Sequence, residues 1–213
     1  MGSLQEFHTK QDEWAGVYRD EVGVVHREKA ALLEVAGETR ALRVLELGCG
    51  GGQVAYAIAD RGHWVVAIDL NSRAIEQARR LAAARSDDRM TVILGGFCEV
   101  ALDGQFDVVS LFDGFGVGED EDQRRLLLRI SDWLAPGGRV LIEVYAPWYW
   151  AKVAVTQSLR CYAPDELYRL LEPTGLKAVH IRSGGAYDHN TGIYREQAPL
   201  GEAMQYIAAL EQI

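Results

Sequence analysis

Glu46-Leu47-Gly48-Cys49-Gly50-Gly51-Gly52-Gln53 is the stretch of this chain whose residue types and spacing could do chemistry. Glycines at 48, 50, 51 and 52 free the backbone for positive φ and let a ligand touch the main chain with no Cβ in the way. Asp69 follows Gly50 by nineteen residues, the separation at which an acid beyond a glycine turn accepts hydrogen bonds from ribose hydroxyls. The turn departs from the plain dinucleotide fingerprint, whose third glycine would fall at position 53, here Gln53. Glu46 is a second departure. A carboxylate would repel a pyrophosphate, and it suits a ligand that carries an ammonium group.

The elements that must position these residues are legible from periodicity. Strand-like and helix-like segments alternate from about residue 43 to 145, the pattern of a parallel sheet with crossover helices. Arg43–Leu47 and Trp64–Ile68 are apolar runs of the kind found in buried central strands. Val54–Asp60 and Ser72–Ala84 carry helical spacing, with Ser72 expected as N-cap of the second. Met90–Leu94 and Phe106–Phe112 are expected as strands three and four, and Arg139–Tyr145 as strand five. Glu119–Leu134 reads as a helix with acids at its positive end. Pro164 opens a further helix through Leu171. Lys177–Ile181 and Gly192–Gln197 are weaker strands, and Gly201–Ile213 is expected as a terminal helix. The expected organisation is one domain over 1–213: a helical cover at 1–40, a cofactor-binding core at 41–145, and a substrate rim with C-terminal strands and helices at 146–213.

The 213 residues are 48% hydrophobic and 25% charged, values of an ordinary globular chain. A net charge of −9 argues against a nucleic-acid partner held by non-specific electrostatics. No apolar run approaches a membrane span, so no membrane partner is expected. Cys49, Cys98 and Cys161 form no metal or disulfide pattern, and the first residues carry no basic and apolar leader. A cytoplasmic protein without a metal is the expectation.

The glycine turn, taken with Asp69, Phe106-Asp107-Val108-Val109 and Leu134-Ala135-Pro136-Gly137-Gly138, resembles the class I S-adenosylmethionine-dependent methyltransferases. Their first motif reads acid-x-Gly-x-Gly-x-Gly, and the likeness runs over roughly residues 40–182 in the right order. It implies an α/β, Rossmann-like seven-stranded mostly parallel sheet with helices on both faces and N-terminal covering helices. It also implies S-adenosyl-L-methionine as cofactor. Gly48, Cys49, Gly50 and Gly52 would line the methionine part and Glu46 its amino group, with Asp69 on the ribose and Leu70 on the adenine. Backbone at Gly96 or Phe97 would replace the acid that the family often places after strand three. Phe112 would add a backbone contact, and Tyr18 resembles a tyrosine folded over the cofactor, with a plain packing role as the alternative.

For the acceptor, the same likeness points to the ends of strands four and five. Asp113 is the candidate base or positioning group and His189 a second; His26 and His180 are the other histidine candidates, of which His180 reads as a core or edge histidine within a strand. Phe115, Tyr145, Trp148, Tyr149 and Trp150 are expected to wall the pocket by stacking or cation–π contact, though Trp148 and Trp150 could equally cover a sheet edge. The chain lacks the motifs of amino-methylating nucleic-acid enzymes, cytosine C5 enzymes and metal-dependent catechol enzymes. A small-molecule acceptor, such as a bacterial secondary metabolite, is the expectation. The rivals are a cofactor-binding regulatory or assembly module without transfer activity, and a nicotinamide-dependent reductase.

Overall fold

The structure is a computed structural model that describes residues 21–34, 39–150, 160–188 and 190–213. Tyr18 and His189 lie outside the described residues, as does the side chain of Trp150. The chain divides into two compact units on either side of the Ser110–Leu111 bond.

The first unit contains α1 (Val24–Ala31), β1 (Arg43–Leu47), α2 (Gln53–Asp60), β2 (Trp64–Asp69), α3 (Ser72–Ala83), β3 (Met90–Leu94) and nearly all of β4 (Phe106–Leu111). Val44, Leu45 and Leu47 of β1 are fully buried, as the unbroken apolar run requires. β1 and β2 pair in parallel with Leu47 opposite Ile68, and β2 and β3 with Asp69 opposite Leu94. Their carboxyl ends therefore reach one edge together, and the three following turns meet there. α2 is apolar nearly all round and buried on most of its surface, whereas α3 hides Ala74, Ile75, Ala78 and Leu81 and turns its arginines outward. The N-cap of α3 is Asn71 and not Ser72. The Asn71 Oδ1 accepts the Arg73 amide at 3.0 Å and the Ala74 amide at 3.5 Å, which leaves Ser72 as the first helical residue.

The second unit holds α4 (Asp120–Trp133), β5 (Leu134–Tyr145), α5 (Pro147–Trp150), α6 (Pro164–Leu171), β6 (Leu176–Ser183), β7 (Ala186–Asp188), β8 (Ile193–Arg195) and β9 (Gln205–Gln212). The acids that open α4 also cap it, for the Glu119 amide donates to Asp122 Oδ2 at 2.9 Å. Leu126, Leu127 and Ile130 form its buried stripe.

Seven strands form one mostly parallel sheet in the order β3-β2-β1-β4-β5-β9-β6. β9 is antiparallel to both of its neighbours. It stands where the sequence predicts a terminal helix. Alanine, leucine, glutamate and glutamine favour a helix by propensity, but Tyr206, Ala208 and Leu210 alternate at period two and are each fully buried. Two flanking strands decide the matter against propensity. β6 takes the outer position, where exposed Lys177, His180 and Arg182 and a bulge between Ala178 and His180 discourage further pairing. The segment expected as a strand at 192–197 is β8, which pairs only with β7 in a separate hairpin. Among the described residues no helix is long and apolar enough to cross a membrane.

Candidate functional site

The turn after β1 is built on alternate glycines. Gly48, Gly50 and Gly52 have φ of 65°, 53° and 81°, a region that L side chains seldom enter. At Gly52 the reason for glycine is space as well. A Cβ there would stand 2.7 Å from the Ala78 Cβ and 2.9 Å from its Cα, so glycine lets α2 start flush against α3. At Gly50 a Cβ would meet nothing within 4 Å, so this position faces open space.

Asp69 ties the turns together. Its Oδ2 accepts the Gly50 amide at 2.8 Å and its Oδ1 accepts the Asn71 amide at 2.8 Å. The amide of Gly95, after β3, donates to the Asp69 carbonyl at 2.9 Å, and that of Cys49 to the Ile68 carbonyl at 2.9 Å. A carboxylate offers about four lone-pair directions. Two are taken by main chain, and one on each oxygen is left for a pair of hydroxyl donors.

Glu46 is only 2% exposed, and its Oε2 has no hydrogen-bond partner. Burial pushes its pKa up to about 8, the Asp69 charge adds to this, and Lys29 of α1 works against it. A buried acceptor left unsatisfied costs about 1–3 kcal/mol, so the position is primed for a donor. Cys49 is buried beside these acids, and burial followed by the Glu46 and Asp69 charges pushes its thiol well above the usual range. Both features disfavour the thiolate a nucleophile needs.

Leu70, Gly96 and Phe97 are half-buried along the same edge. Sequence reasoning missed Glu99. The Glu99 and Val100 amides fold back onto the Gly96 carbonyl at 2.8 and 2.9 Å, which brings a Glu99 carboxylate oxygen to 3.7 Å from where a Gly96 Cβ would stand. An acid three residues further along thus occupies the turn after β3. Glycines at 95 and 96, which permit such a fold-back, were the available signal.

The second unit carries the remaining candidates. Phe112 is buried, and Asp113, exposed at the end of β4, has φ of 62°, the one positive value at a non-glycine among the described residues. Asp tolerates this conformation better than most residues, at a cost on the order of 1–2 kcal/mol. Phe115 is fully buried and packs on Tyr162 with ring centroids 5.7 Å apart. The loop around it is fixed by Gln123, whose Oε1 accepts the Gly116 amide at 2.9 Å and whose Nε2 donates to the Val117 carbonyl at 2.6 Å. Phe115 therefore shows core packing rather than an open aromatic face.

After β5, Tyr145 and Trp148 are half-buried and Tyr149 is 9% exposed. The Trp148 indole N–H donates to the Ala203 carbonyl at 3.0 Å, which anchors α5 to the segment leading into β9. Burial raises the Tyr149 hydroxyl pKa, and the Tyr187 phenol raises it further. Tyr187 stands opposite Tyr194 in the β7–β8 hairpin, and the two are 38% and 55% exposed. Ala186, on the other face, is buried with Ala198 and Ala203. This exposed tyrosine face was missed because three-residue strands carry almost no periodic signal. His26 caps α1, its Nδ1 accepting the Gly23 amide at 2.9 Å, and His180 is exposed on β6. Among the described residues no group of His, Cys, Asp or Glu side chains could hold a metal ion.

The family described as "Methyltransferase domain" matches residues 44–138. A cypemycin N-terminal methyltransferase from Streptomyces sp is 32% identical over 49% of this chain and 42% of its own length. A tRNA 5-carboxymethoxyuridine methyltransferase from Escherichia coli K12 is 35% identical over 49% of this chain and 40% of its own length. The match thus spans about two fifths of each of these curated relatives. In fold, the chain is similar to magnesium protoporphyrin IX methyltransferase from Synechocystis PCC 6803 with bound SAH. The TM-score is 0.71 and the identity 14%, over 99% of this chain and 98% of that one.

Proposed function

We propose that this chain is a class I S-adenosylmethionine-dependent methyltransferase that transfers a methyl group from that cofactor to a small-molecule acceptor. When bound, S-adenosylmethionine supplies a methyl group on a positively charged sulfur. The residues present fit it. The unpaired buried oxygen of Glu46 suits the ammonium of the methionine part, and the open face of Gly50 leaves room for main-chain contact. Asp69 keeps two free lone-pair directions for the ribose hydroxyls, and Leu70 and Phe97 offer apolar surface to the adenine. Glu99 is the side chain we assign to the adenine amino group, in place of contact through the backbone of Gly96 or Phe97 alone. Gly48, Cys49, Gly52 and Phe112 contribute backbone, and Tyr18 is assigned as a cover over the cofactor.

Methyl transfer is an in-line displacement, so the protein's part is alignment, exclusion of water and, for some acceptors, removal of a proton. Asp113 is assigned to hold the acceptor or take its proton, with His189 as the second candidate. Tyr145, Trp148, Tyr149 and Trp150 are assigned to the acceptor wall, and Tyr187 joins them. Phe115 is retained only as support behind that wall, because it has no exposed face. By their names, the relatives act on a peptide terminus and a tRNA nucleoside, and the structural neighbour on a porphyrin, so the acceptor has to be read from this chain itself. The net charge of −9 disfavours nucleic acid, and the tyrosine face favours a flat ring such as a bacterial secondary metabolite carries. The reading takes residues 1–213 as one working domain in the cytoplasm, where Cys49, Cys98 and Cys161 stay reduced.

The observation that carries the proposal is the Glu46 carboxyl, buried and unsatisfied at the root of a glycine turn that Asp69 closes. Thermal denaturation tests it. At about 100 times its dissociation constant, S-adenosylhomocysteine should stabilise the protein by roughly 2.7 kcal/mol, and NAD should not. A shift with NAD and none with the sulfur ligand overturns the reading in favour of the reductase. Methyl transfer to a panel of ring-bearing acceptors then separates the enzyme from a non-transferring module.

A further inference from the structure

Glu46 is one of few buried charged side chains, and a carboxyl in that position must settle its proton. The groups around it can be enumerated by element. Lys29 approaches from α1, Asp69 stands at the end of β2, and Cys49 lies in the turn that follows β1 itself. On β4, Asp107 is spent at the other end of β1, where its Oδ2 accepts the Arg43 amide at 2.7 Å and its Oδ1 pairs with Arg40 at 3.0 Å. On α2, Asp60 is exposed and pairs outward with Arg27 at 3.3 Å. Among the described residues, Lys29 is the one cation whose charge bears on Glu46, against a second carboxylate, and the Glu46 Oε2 has no donor.

We propose that Glu46 is a proton-coupled seat for the ammonium group of the cofactor, protonated in the ligand-free protein and ionised in the complex, so that binding expels one proton to solvent. This rests on the cofactor reading above and deepens it. The balance is simple: a neutral carboxyl and an incoming ammonium become a carboxylate–ammonium pair, and the carboxyl proton leaves to buffer. No bond to carbon is made or broken. The raised pKa of about 8 agrees with this, because a carboxyl of that strength is mostly protonated at neutral pH. The physical reason is that a buried carboxylate needs a partner, and Lys29, opposed by Asp69, does not by itself hold Glu46 ionised. An ammonium placed at the orphaned oxygen supplies the missing charge and donor together. Affinity for the cofactor then rises with pH up to neutrality, close to tenfold per unit, while affinity for a ligand without the amino group stays flat.

Calorimetry reads the proton directly. S-adenosylhomocysteine is titrated into the full chain at pH 6.5 and 7.0 in buffers of different ionisation enthalpy. The same titration is run with 5′-methylthioadenosine, which keeps the nucleoside and lacks the amino-acid part. The expected result is release of close to one proton with the first ligand, none with the second, and none with either in Glu46→Gln. Gln resembles the protonated carboxyl in shape, so that variant keeps the ligand-free packing. Where Glu46→Gln binds too weakly to titrate, the infrared difference spectrum of the wild type decides. A protonated-carboxyl band that vanishes on adding S-adenosylhomocysteine supports the proposal, and an unchanged band overturns it. Binding without proton release, or equal release in Glu46→Gln, overturns the proposal and leaves the cofactor assignment standing. Absence of binding by both nucleosides overturns the cofactor assignment, and the proposal with it.

Discussion

The Gly50 amide donates to the Asp69 carboxylate across 2.8 Å, joining the turn after β1 to the end of β2. This bond does two things at once. It fixes the glycine turn against a neighbouring strand, and it orients a carboxylate whose remaining lone pairs stay available. The open face of Gly50 lies at the same place.

Gly50 and Gly52 should respond differently to the same substitution. Gly52→Ala combines positive φ with a clash against Ala78, and is expected to cost roughly 2–4 kcal/mol in stability. Gly50→Ala meets no neighbour and should cost about 1–2 kcal/mol, the backbone term alone. Its larger effect should be on cofactor affinity, since the new methyl projects into the open face. Urea unfolding and calorimetric titration of the two variants separate these outcomes.

Glu46 makes the ligand-free protein pH-sensitive. Its carboxyl is raised in the fold from 4.5 to about 8, so its contribution to stability is fully present below about 4.5 and is lost as pH rises through about 8. Across that window the term has a slope on the order of 1.4 kcal/mol per pH unit. Denaturation of wild type and Glu46→Gln from pH 5 to 8 should show the wild type losing stability relative to the variant. A constant difference between them would contradict the assignment.

The three cysteines should differ in reactivity. Cys98 is exposed and should react first with a disulfide reagent in the native protein. Cys161 is partly covered, with its thiol raised by burial, and should follow. Cys49 should react only as the protein unfolds, because burial and two neighbouring acids keep it a thiol. Mass spectrometry of a timed alkylation gives the order.

Trp148 anchors α5 as well as lining the assigned acceptor wall. Trp148→Phe removes the indole donor to Ala203 and should lower stability by about 1 kcal/mol, leaving cofactor affinity unchanged. Trp148→Ala should in addition raise the KM for a ring acceptor. Loss of cofactor binding in either variant would refute the placement.

What the sequence made legible was local. The spacing of Gly48, Gly50 and Gly52, the acid at Asp69 and the apolar β1 and β2 all declare themselves within a few residues. β9 did not, because its helix-favouring residues are overruled by β5 and β6, which lie far from it in the chain. Phe115 read as a rim residue since nothing nearby in the chain announces Tyr162, a ring it packs against. Glu99 was passed over because the acid was sought directly after β3, whereas two glycines let a later carboxylate fold back. Tyr194 lies in the strand expected at 192–197, but the three-residue β7 that carries Tyr187 shows no period, and only pairing reveals their shared face.

The central claim is that the glycine turn and Asp69 hold S-adenosylmethionine. Calorimetric titration of S-adenosylhomocysteine into wild type and Asp69→Ala tests it most directly. The account predicts one site per chain in the wild type and at least a hundredfold weaker binding in the variant. Equal affinity in the two proteins, or no binding to the wild type, would contradict it.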